Sequence, residues 1–231
     1  MSNFNVLDLA SCAGGTVGGW QRVGATVTAV DLDAKALAQN PAEHRVTGDG
    51  LAYLREHGHR FDLVHMSWPC QRWAANGLRM DWPDLITPAR RIVREIGVPY
   101  VMENVPRAPL MDPFVLCGTM FDLTTVDDDG TLLHLQRHRS FETGGWFPGP
   151  LPEHRHLKGV QWAGAYGGAR RNKVEARTIR HGGYVPKNLD VIRALLGTPW
   201  IKTERYLFEA IPPAYTEFIA RRFLAQRDLS L

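Results

Sequence analysis

The stretch Asn5-Val6-Leu7-Asp8-Leu9-Ala10-Ser11-Cys12-Ala13-Gly14-Gly15 decides the fold. Asn5–Leu9 is a short apolar run that reads as a strand, and the small residues Ser11–Gly15 read as the turn that ends it. A helix-like stretch follows around Val17–Val23, and Ala25–Val30 is a second β-rich run stopped by Asp31. The alternation continues outward with a helix over Ala34–Gln39, a brief strand at Arg45–Thr47 and a helix over Leu51–His57. Phe61–Met66 and Val98–Met102 read as strands on either side of the longest helical pattern, Pro83–Ile96. Such alternation predicts an α/β protein with a mostly parallel sheet and helices on both faces. Ligand groups in such sheets collect at the carboxyl ends of the strands. The chemistry-bearing residues Ser11–Gly15, Asp31, Asp49, Cys70 and Glu103 all fall there.

Beyond residue 141 the pattern changes. Gly144–Pro152 and Ala163–Ala169 are rich in glycine, a poor basis for a core, and Asn188–Leu196 and Pro212–Leu224 then read as helices. The chain is therefore expected to divide into a catalytic and cofactor-binding part (1–141), a small irregular basic region (142–187) and a return to the first part (188–231). Residues 134–190 hold ten Lys/Arg against four acids, a surplus of six that leaves the remainder of this +3 chain at −3. A basic module on a mildly acidic body points to a polyanionic partner. At 231 residues, 44% hydrophobic and 22% charged, the chain can bury a full core, and wholesale disorder is excluded. No run approaches ~18 apolar residues, and the first residues lack the pattern of a secretory signal. A cytoplasmic protein without a membrane partner is expected, its three cysteines reduced.

Three constellations carry chemistry. Ala13-Gly14-Gly15 between strand and helix would let backbone approach a dinucleotide or adenosyl cofactor, with Asp31 placed to bind ribose hydroxyls. No GxxxxGK[ST] loop occurs, which argues against a P-loop hydrolase. In Ser67-Trp68-Pro69-Cys70-Gln71 a cysteine follows a proline at the sheet mouth, where a thiolate can act as nucleophile. Glu103-Asn104-Val105-Pro106 closes the next strand and would aim a carboxyl at the same cleft, and Gln136-Arg137-His138-Arg139 offers cationic donors. Together these suit attack on an electron-poor ring. Other features read as structural. Cys117 is expected in the core, and Asp127-Asp128-Asp129-Gly130 marks a hairpin turn. His154 and His156 have no cysteine partners, so no zinc or other metal site is expected.

The strings resemble, in order and over nearly the whole chain, the DNA cytosine-5 methyltransferases, most closely the compact phage-encoded members. Asp8-Leu9 with Ala13-Gly14-Gly15, Val30-Asp31 and Gly48-Asp49 are similar to the cofactor motifs. Pro69-Cys70-Gln71, Glu103-Asn104-Val105 and Gln136-Arg137-His138-Arg139 are similar to the nucleophile, acid and arginine motifs. Leu189–Trp200 and Ala210-Ile211-Pro212-Pro213-Ala214 resemble the two closing motifs. The resemblance implies a Rossmann-like methyltransferase fold with a small target-recognition insert. It implies S-adenosylmethionine as cofactor and DNA as partner, duplex with a flipped cytosine or single-stranded, with no obligate protein partner evident. The implied catalytic set is Cys70, Gln71, Glu103, Asn104 and Arg139. The implied cofactor set is Asp8, Ala10, Ser11, Cys12, Ala13, Gly14, Gly15, Asp31, Leu32, Asp49, Gly50, Pro69, Glu209 and Ala210. Arg137, Arg170, Arg171, Lys173 and Arg177 are the expected nucleic-acid contacts.

The chain departs from the family at Ala10 and Cys12, where relatives usually carry Phe and Gly, and at Glu209, where they carry Asn or Gln. All three lie on the cofactor side in relatives, while the base-side set is intact. Two donors follow as expectations: ordinary S-adenosylmethionine, or a modified form such as carboxy-S-adenosylmethionine. For the latter, Arg205 or Arg72 would have to offset Glu209. An inactive DNA-binding decoy and an RNA or free-nucleotide substrate are the remaining alternatives. The short interval between Arg139 and Leu189 implies low sequence specificity, a very short target or a single-stranded substrate.

Overall fold

The computed structural model describes residues 4–74, 81–156, 158–163 and 184–229. In chain order the elements are β1 (Phe4–Leu9), α1 (Gly15–Gln21), β2 (Ala25–Asp31), α2 (Ala34–Leu37), β3 (His44–Thr47), α3 (Gly50–His57), β4 (Leu63–Met66), α4 (Ile86–Ile96), β5 (Tyr100–Asn104), β6 (Phe114–Leu116), β7 (Thr124–Val126), β8 (Leu132–Leu135), β9 (Arg139–Gly144), β10 (Gln161–Ala163), α5 (Leu189–Leu196), α6 (Glu204–Glu209) and α7 (Pro213–Leu229). Two of the helices start on an aspartate side chain: Asp33 accepts from the amides of Lys35 and Ala36, and Asp49 from that of Ala52.

The main sheet runs β3-β2-β1-β4-β5-β9-β6, and the first five strands in that order are parallel. The chain steps outward from β1 to β3, then crosses back to β4 beside β1, so the switch point lies between β1 and β4. Side chains alternate across the sheet. Val6, Val27, Leu63, Val101 and Phe141 pack under α1 and α7 in one core. Leu7, Leu9, Val64, Met66, Tyr100 and Met102 pack on the other face with α3 and α4.

β9 enters the sheet antiparallel, between β5 and β6. It spans residues 139–144, so the boundary expected after residue 141 falls inside a strand of the main sheet. The smaller sheet, β10-β8-β7, likewise draws on both sides of that boundary. Asp127–Gly130 forms the turn between β7 and β8, as expected. Leu133, Leu135, Ala163 and Tyr184 of this second unit share a core with α5, α6 and Ala13.

Glu142, on the second face of β9, is fully buried and takes four donors: Arg90 Nε at 2.8 Å, Arg90 Nη2 at 2.6 Å, the Tyr100 hydroxyl at 2.8 Å and the Met111 amide at 2.8 Å. Burial raises its pKa, but these donors, led by Arg90, win and hold the carboxyl below the ordinary 4.5. A carboxyl depressed in the folded state contributes stability above its unfolded pKa and loses it as pH falls. Glu142→Gln should therefore lose about 3 kcal/mol at pH 7, by urea denaturation, since Arg90 keeps its burial without its partner. The difference from wild type should shrink steadily below about pH 5. A pH-independent difference would show that the charge is immaterial.

Candidate active site

The carboxyl ends of β1, β2, β3, β4 and β5 meet along one edge of the sheet, and the site is built there. After β4 the chain turns through Ser67–Gln71, with the Ser67 amide donating to the Leu9 carbonyl (3.1 Å). Asn104, at the end of β5, fixes this turn from the side: its Nδ2 donates to the Trp68 carbonyl at 2.8 Å, and its Oδ1 accepts from the Val105 amide at 2.9 Å. Cys70 is left half-buried and Pro69 exposed, and Gln71 Oε1 is buried with no partner among the described residues.

Glu103 and Phe141 are register partners across β5 and β9, so both face the same side. Arg139, two residues before Phe141, points to that side too, and its Nε lies 3.2 Å from Glu103 Oε1. Arg139 Nη1 also donates to its neighbour's carbonyl, at His138 (2.8 Å). Burial pushes the Glu103 carboxyl up, against the pull of Arg139, His65 and Arg137. Burial also raises the Cys70 thiol; Arg139 lowers it, Glu103 raises it and Arg137 lowers it. Thiol, carboxyl and guanidinium thus share one electrostatic neighbourhood.

The cofactor-side residues divide into two groups. Asp31 is half-buried at the end of β2, its Oδ2 accepting from the Cys12 amide and its Oδ1 from the Asp33 amide, both at 2.8 Å. Each carboxylate oxygen retains a lone pair for a hydroxyl donor. Leu32 beside it is 74% exposed, a dry face for a flat ring, and Asp49 is exposed at the end of β3, with Gly50 opening α3. Half-buried Ala10 and Cys12 border the same turn. An acid with spare lone pairs at the end of the second strand, beside an exposed apolar side chain, fits an adenosine-bearing cofactor.

The second group is turned inward, which corrects several expectations. Asp8 is fully buried inside β1, its Oδ2 3.2 Å from His65 Nδ1 on β4, so its side chain cannot reach a ligand. Ser11 accepts from Asn40 Nδ2 at 2.9 Å, and Ala13 and Ala210 lie in one core cluster. A Cβ on Gly14 would lie 2.6 Å from Pro41 Cδ, and one on Gly15 would lie 2.4 Å from the Ile211 carbonyl oxygen. The protein's own packing therefore imposes glycine at these two positions, where close approach of a ligand was expected. Arg137, expected at nucleic acid, is also buried: its Nη2 donates to the Phe208 carbonyl at 3.0 Å and its carbonyl accepts from the Tyr215 hydroxyl at 2.6 Å. It ties the arginine stretch to α6 and α7. Arg170, Arg171, Lys173 and Arg177 lie outside the described residues.

Glu209 is exposed and pairs with Arg205 (3.3 Å), one of the two cations considered beside it; Arg72 donates instead to the Trp82 carbonyl (2.6 Å). Sequence reading missed the buried His65, which no local pattern marks. It also missed Trp200 as a support of the glycine turn, where its indole donates to the Ala13 carbonyl at 2.9 Å. The three thiols differ. Burial drives Cys12 up to about 12, leaving it inert. Cys117, buried as expected, is nonetheless held below the ordinary value: burial raises it, but Thr119, His156 and His154 together outweigh that.

No protein-family model and no curated protein matches the chain. Solved structures do. A protein described as a prophage-encoded DNA modification methyltransferase from E. coli superposes with a TM-score of 0.62 at 14% identity, over 96% of this chain and 99% of that one. The S. pombe Dnmt2 methyltransferase gives 0.58 at 14% identity, over 97% and 99%. The Entamoeba histolytica methyltransferase EhMeth gives 0.58 at 11%, over 98% and 99%. The likeness is one of fold: the chain has the Rossmann-like architecture of these methyltransferases along almost its whole length.

The electrostatics make opposite demands on two variants. Arg139→Gln removes a group that favours the Cys70 thiolate, so the pH profile of Cys70 alkylation should move to higher pH. Glu103→Gln removes one that disfavours it and should move the profile down. Peptide mass spectrometry after timed iodoacetamide labelling separates Cys70 from Cys12 and Cys117. Shifts in the same direction would refute the arrangement.

Proposed function

We propose that the protein is an S-adenosylmethionine-dependent DNA methyltransferase that acts at carbon 5 of cytosine through a covalent Cys70 adduct. The observation that carries this reading is the convergence of Cys70, Glu103 and Arg139 at the mouth of the sheet, with Arg139 and Glu103 3.2 Å apart. The prophage neighbour described as a DNA modification methyltransferase, similar over its whole length, supports DNA as the substrate.

Carbon 5 of a stacked cytosine is out of reach, so the base must be turned out into the cleft. The Cys70 thiolate bonds to carbon 6, and the ring electrons move toward carbon 5 and ring nitrogen 3. Glu103, whose burial favours the protonated form, supplies the proton at nitrogen 3. Arg139 holds the base carbonyl and favours the Cys70 thiolate that the attack requires. Asn104 holds the turn that presents the nucleophile, through its bond to the Trp68 carbonyl. Bound S-adenosylmethionine supplies an electrophilic methyl group. Asp31, Leu32 and Asp49 are the residues placed to hold it. The carbon-5 proton then passes to water, the carbon 6–sulfur bond breaks to release Cys70 as the thiolate, and nitrogen 3 returns its proton to Glu103. Covalent addition divides one difficult substitution into easier steps.

Arg205 pairs with Glu209 and so supplies the offset that a carboxylated donor requires, which keeps that donor as the second reading beside ordinary S-adenosylmethionine. The decoy reading has no support, since neither nucleophile nor acid is lost.

Nucleoside mass spectrometry of DNA from cells expressing the protein should show deoxycytidine heavier by one methyl group, absent with Cys70→Ala. Glu103→Gln should lower the rate about 10²–10⁴-fold. A heavier adduct would point to a modified donor, and unmodified DNA with methylated RNA would overturn DNA as the substrate.

A further inference from the structure

The side chains left unused by this reading include a cluster that the sequence scatters over forty positions: Cys117, His138, His154 and His156. Their ligand atoms all lie within 4.8 Å of one another. The expectation of no metal rested on the absence of a cysteine near His154 and His156, and the fold removes that ground. β6 and β9 run antiparallel with Leu116 opposite Arg139, so one step further Cys117 comes opposite His138. The chain after β9 then returns through an irregular stretch to deliver His154 and His156. That stretch is held on its way by Arg222, whose Nη2 donates to the Pro150 carbonyl at 3.1 Å.

The dimensions are those of a coordination shell. His138 Nε2 is 3.3 Å from His154 Nε2, His154 Nε2 is 2.9 Å from His156 Nε2, and Cys117 Sγ is 3.6 Å from His156 Nε2. A tetrahedral zinc ion with bonds of ~2.0–2.1 Å to nitrogen and ~2.3 Å to sulfur sets its ligands about 3.3 Å apart between nitrogens and about 3.6 Å between nitrogen and sulfur. The three rings also splay around a centre, with centroids 4.7, 5.0 and 5.2 Å apart and planes inclined by 63–84°. Three Nε2 atoms pointed at one another cannot all carry protons. A shared cation satisfies all three lone pairs together with the thiolate.

We propose that Cys117, His138, His154 and His156 bind one zinc ion. Four protein ligands fill a tetrahedron and leave no position for water, which makes the site structural. Three imidazoles and one thiolate suit zinc, a borderline-soft ion, better than calcium or magnesium, which take oxygen ligands. The ion would clamp the stretch after β9 to the start of that strand. Arg139 donates to the His138 carbonyl, so the clamp closes one residue from the group that pairs with Glu103. With one thiolate the site carries a net charge of +1, which adds to the basic surplus of this part of the chain. The site stands apart from methyl transfer and is tested without it.

The full chain, untagged and purified without chelator, should contain about one zinc ion. Exchange with cobalt(II) should give the intense visible bands of a tetrahedral ion and a near-ultraviolet thiolate-to-cobalt band. Cys117→Ser should lose the thiolate band, the double variant His154→Ala/His156→Ala should lose zinc, and Cys12→Ser should keep both, with far-ultraviolet circular dichroism reporting the fold of each. The wild-type measurements decide even where a variant fails to fold. A wild-type chain without zinc that gives only the weak bands of octahedral cobalt would overturn the site, as would a thiolate band that survives Cys117→Ser.

Discussion

The strand Arg139–Gly144 runs antiparallel between β5 and β6, pairing Phe141 with Glu103 on one side and with Phe114 on the other. Because side chains alternate, this register fixes three separate arrangements at once. Arg139 and Phe141 face α7, which puts the guanidinium on Glu103. Glu142 faces α4, which puts its carboxylate on Arg90 and Tyr100. His138, just ahead of the strand, falls beside Cys117. A slip of one residue would exchange the two faces, burying Arg139 among the apolar residues around α4 and leaving Glu103 without its cation. The stacked rings of Phe114 and Phe141, 5.6 Å apart, and the edge-on contact of Phe141 with Tyr215 make such a slip costly. Arg137, gripped between the Phe208 carbonyl and the Tyr215 hydroxyl, pins the approach to the strand.

The two glutamates beside this strand show how one residue type serves opposite ends. Both are buried, and burial raises the pKa of each. Glu142 receives two guanidinium bonds, a phenol and an amide, enough to hold the charge in place. Glu103 has the single guanidinium of Arg139 at 3.2 Å, and desolvation prevails. A buried carboxylate with a full complement of donors is a structural anchor; one left short of donors favours its proton and can deliver it. Two differences act in the same direction: Glu103 is enclosed more deeply by protein, and it has fewer donors.

The parallel half of the sheet was legible because four of its five strands are largely apolar runs buried on both faces, set off by helical periodicity and turn residues, with His44–Thr47 at the edge the exposed exception. The same logic placed Asp31, Asp49, Cys70 and Glu103 at strand ends. What escaped was set by contacts distant in sequence. Asp8 was read as a site residue from its motif, although it sits one pleat from Val6 and so shares the face packed under α1. Arg137 and Arg139 are two apart and look equivalent in sequence; only the return of α6 and α7 buries the first. Gly14 and Gly15 were legible as a turn, but the groups that forbid a side chain there, at Pro41 and Ile211, come from elsewhere in the chain. The β6–β9 register brings Cys117 to His138, and neither short strand announces itself by period.

The departures at Ala10 and Cys12 gain meaning from the backbone. Both residues have left-handed geometry, with φ of 53° and 47°, where a residue with a Cβ costs roughly 1–2 kcal/mol more than glycine. The chain has thus kept the backbone that a glycine would adopt at residue 12 while placing a side chain on it. That conformation is over-determined: the Cys12 amide is held by Asp31, its carbonyl accepts from Asn40 Nδ2 at 3.0 Å, and its side chain packs against the cluster of α5 and α6. The thiol contributes bulk and no reactivity, since burial keeps it protonated. Three independent contacts therefore hold the strained turn at the carboxyl end of β1. Cys12 and Asp31 are then one feature, because the carboxylate at the end of β2 is also the group that holds the strained amide.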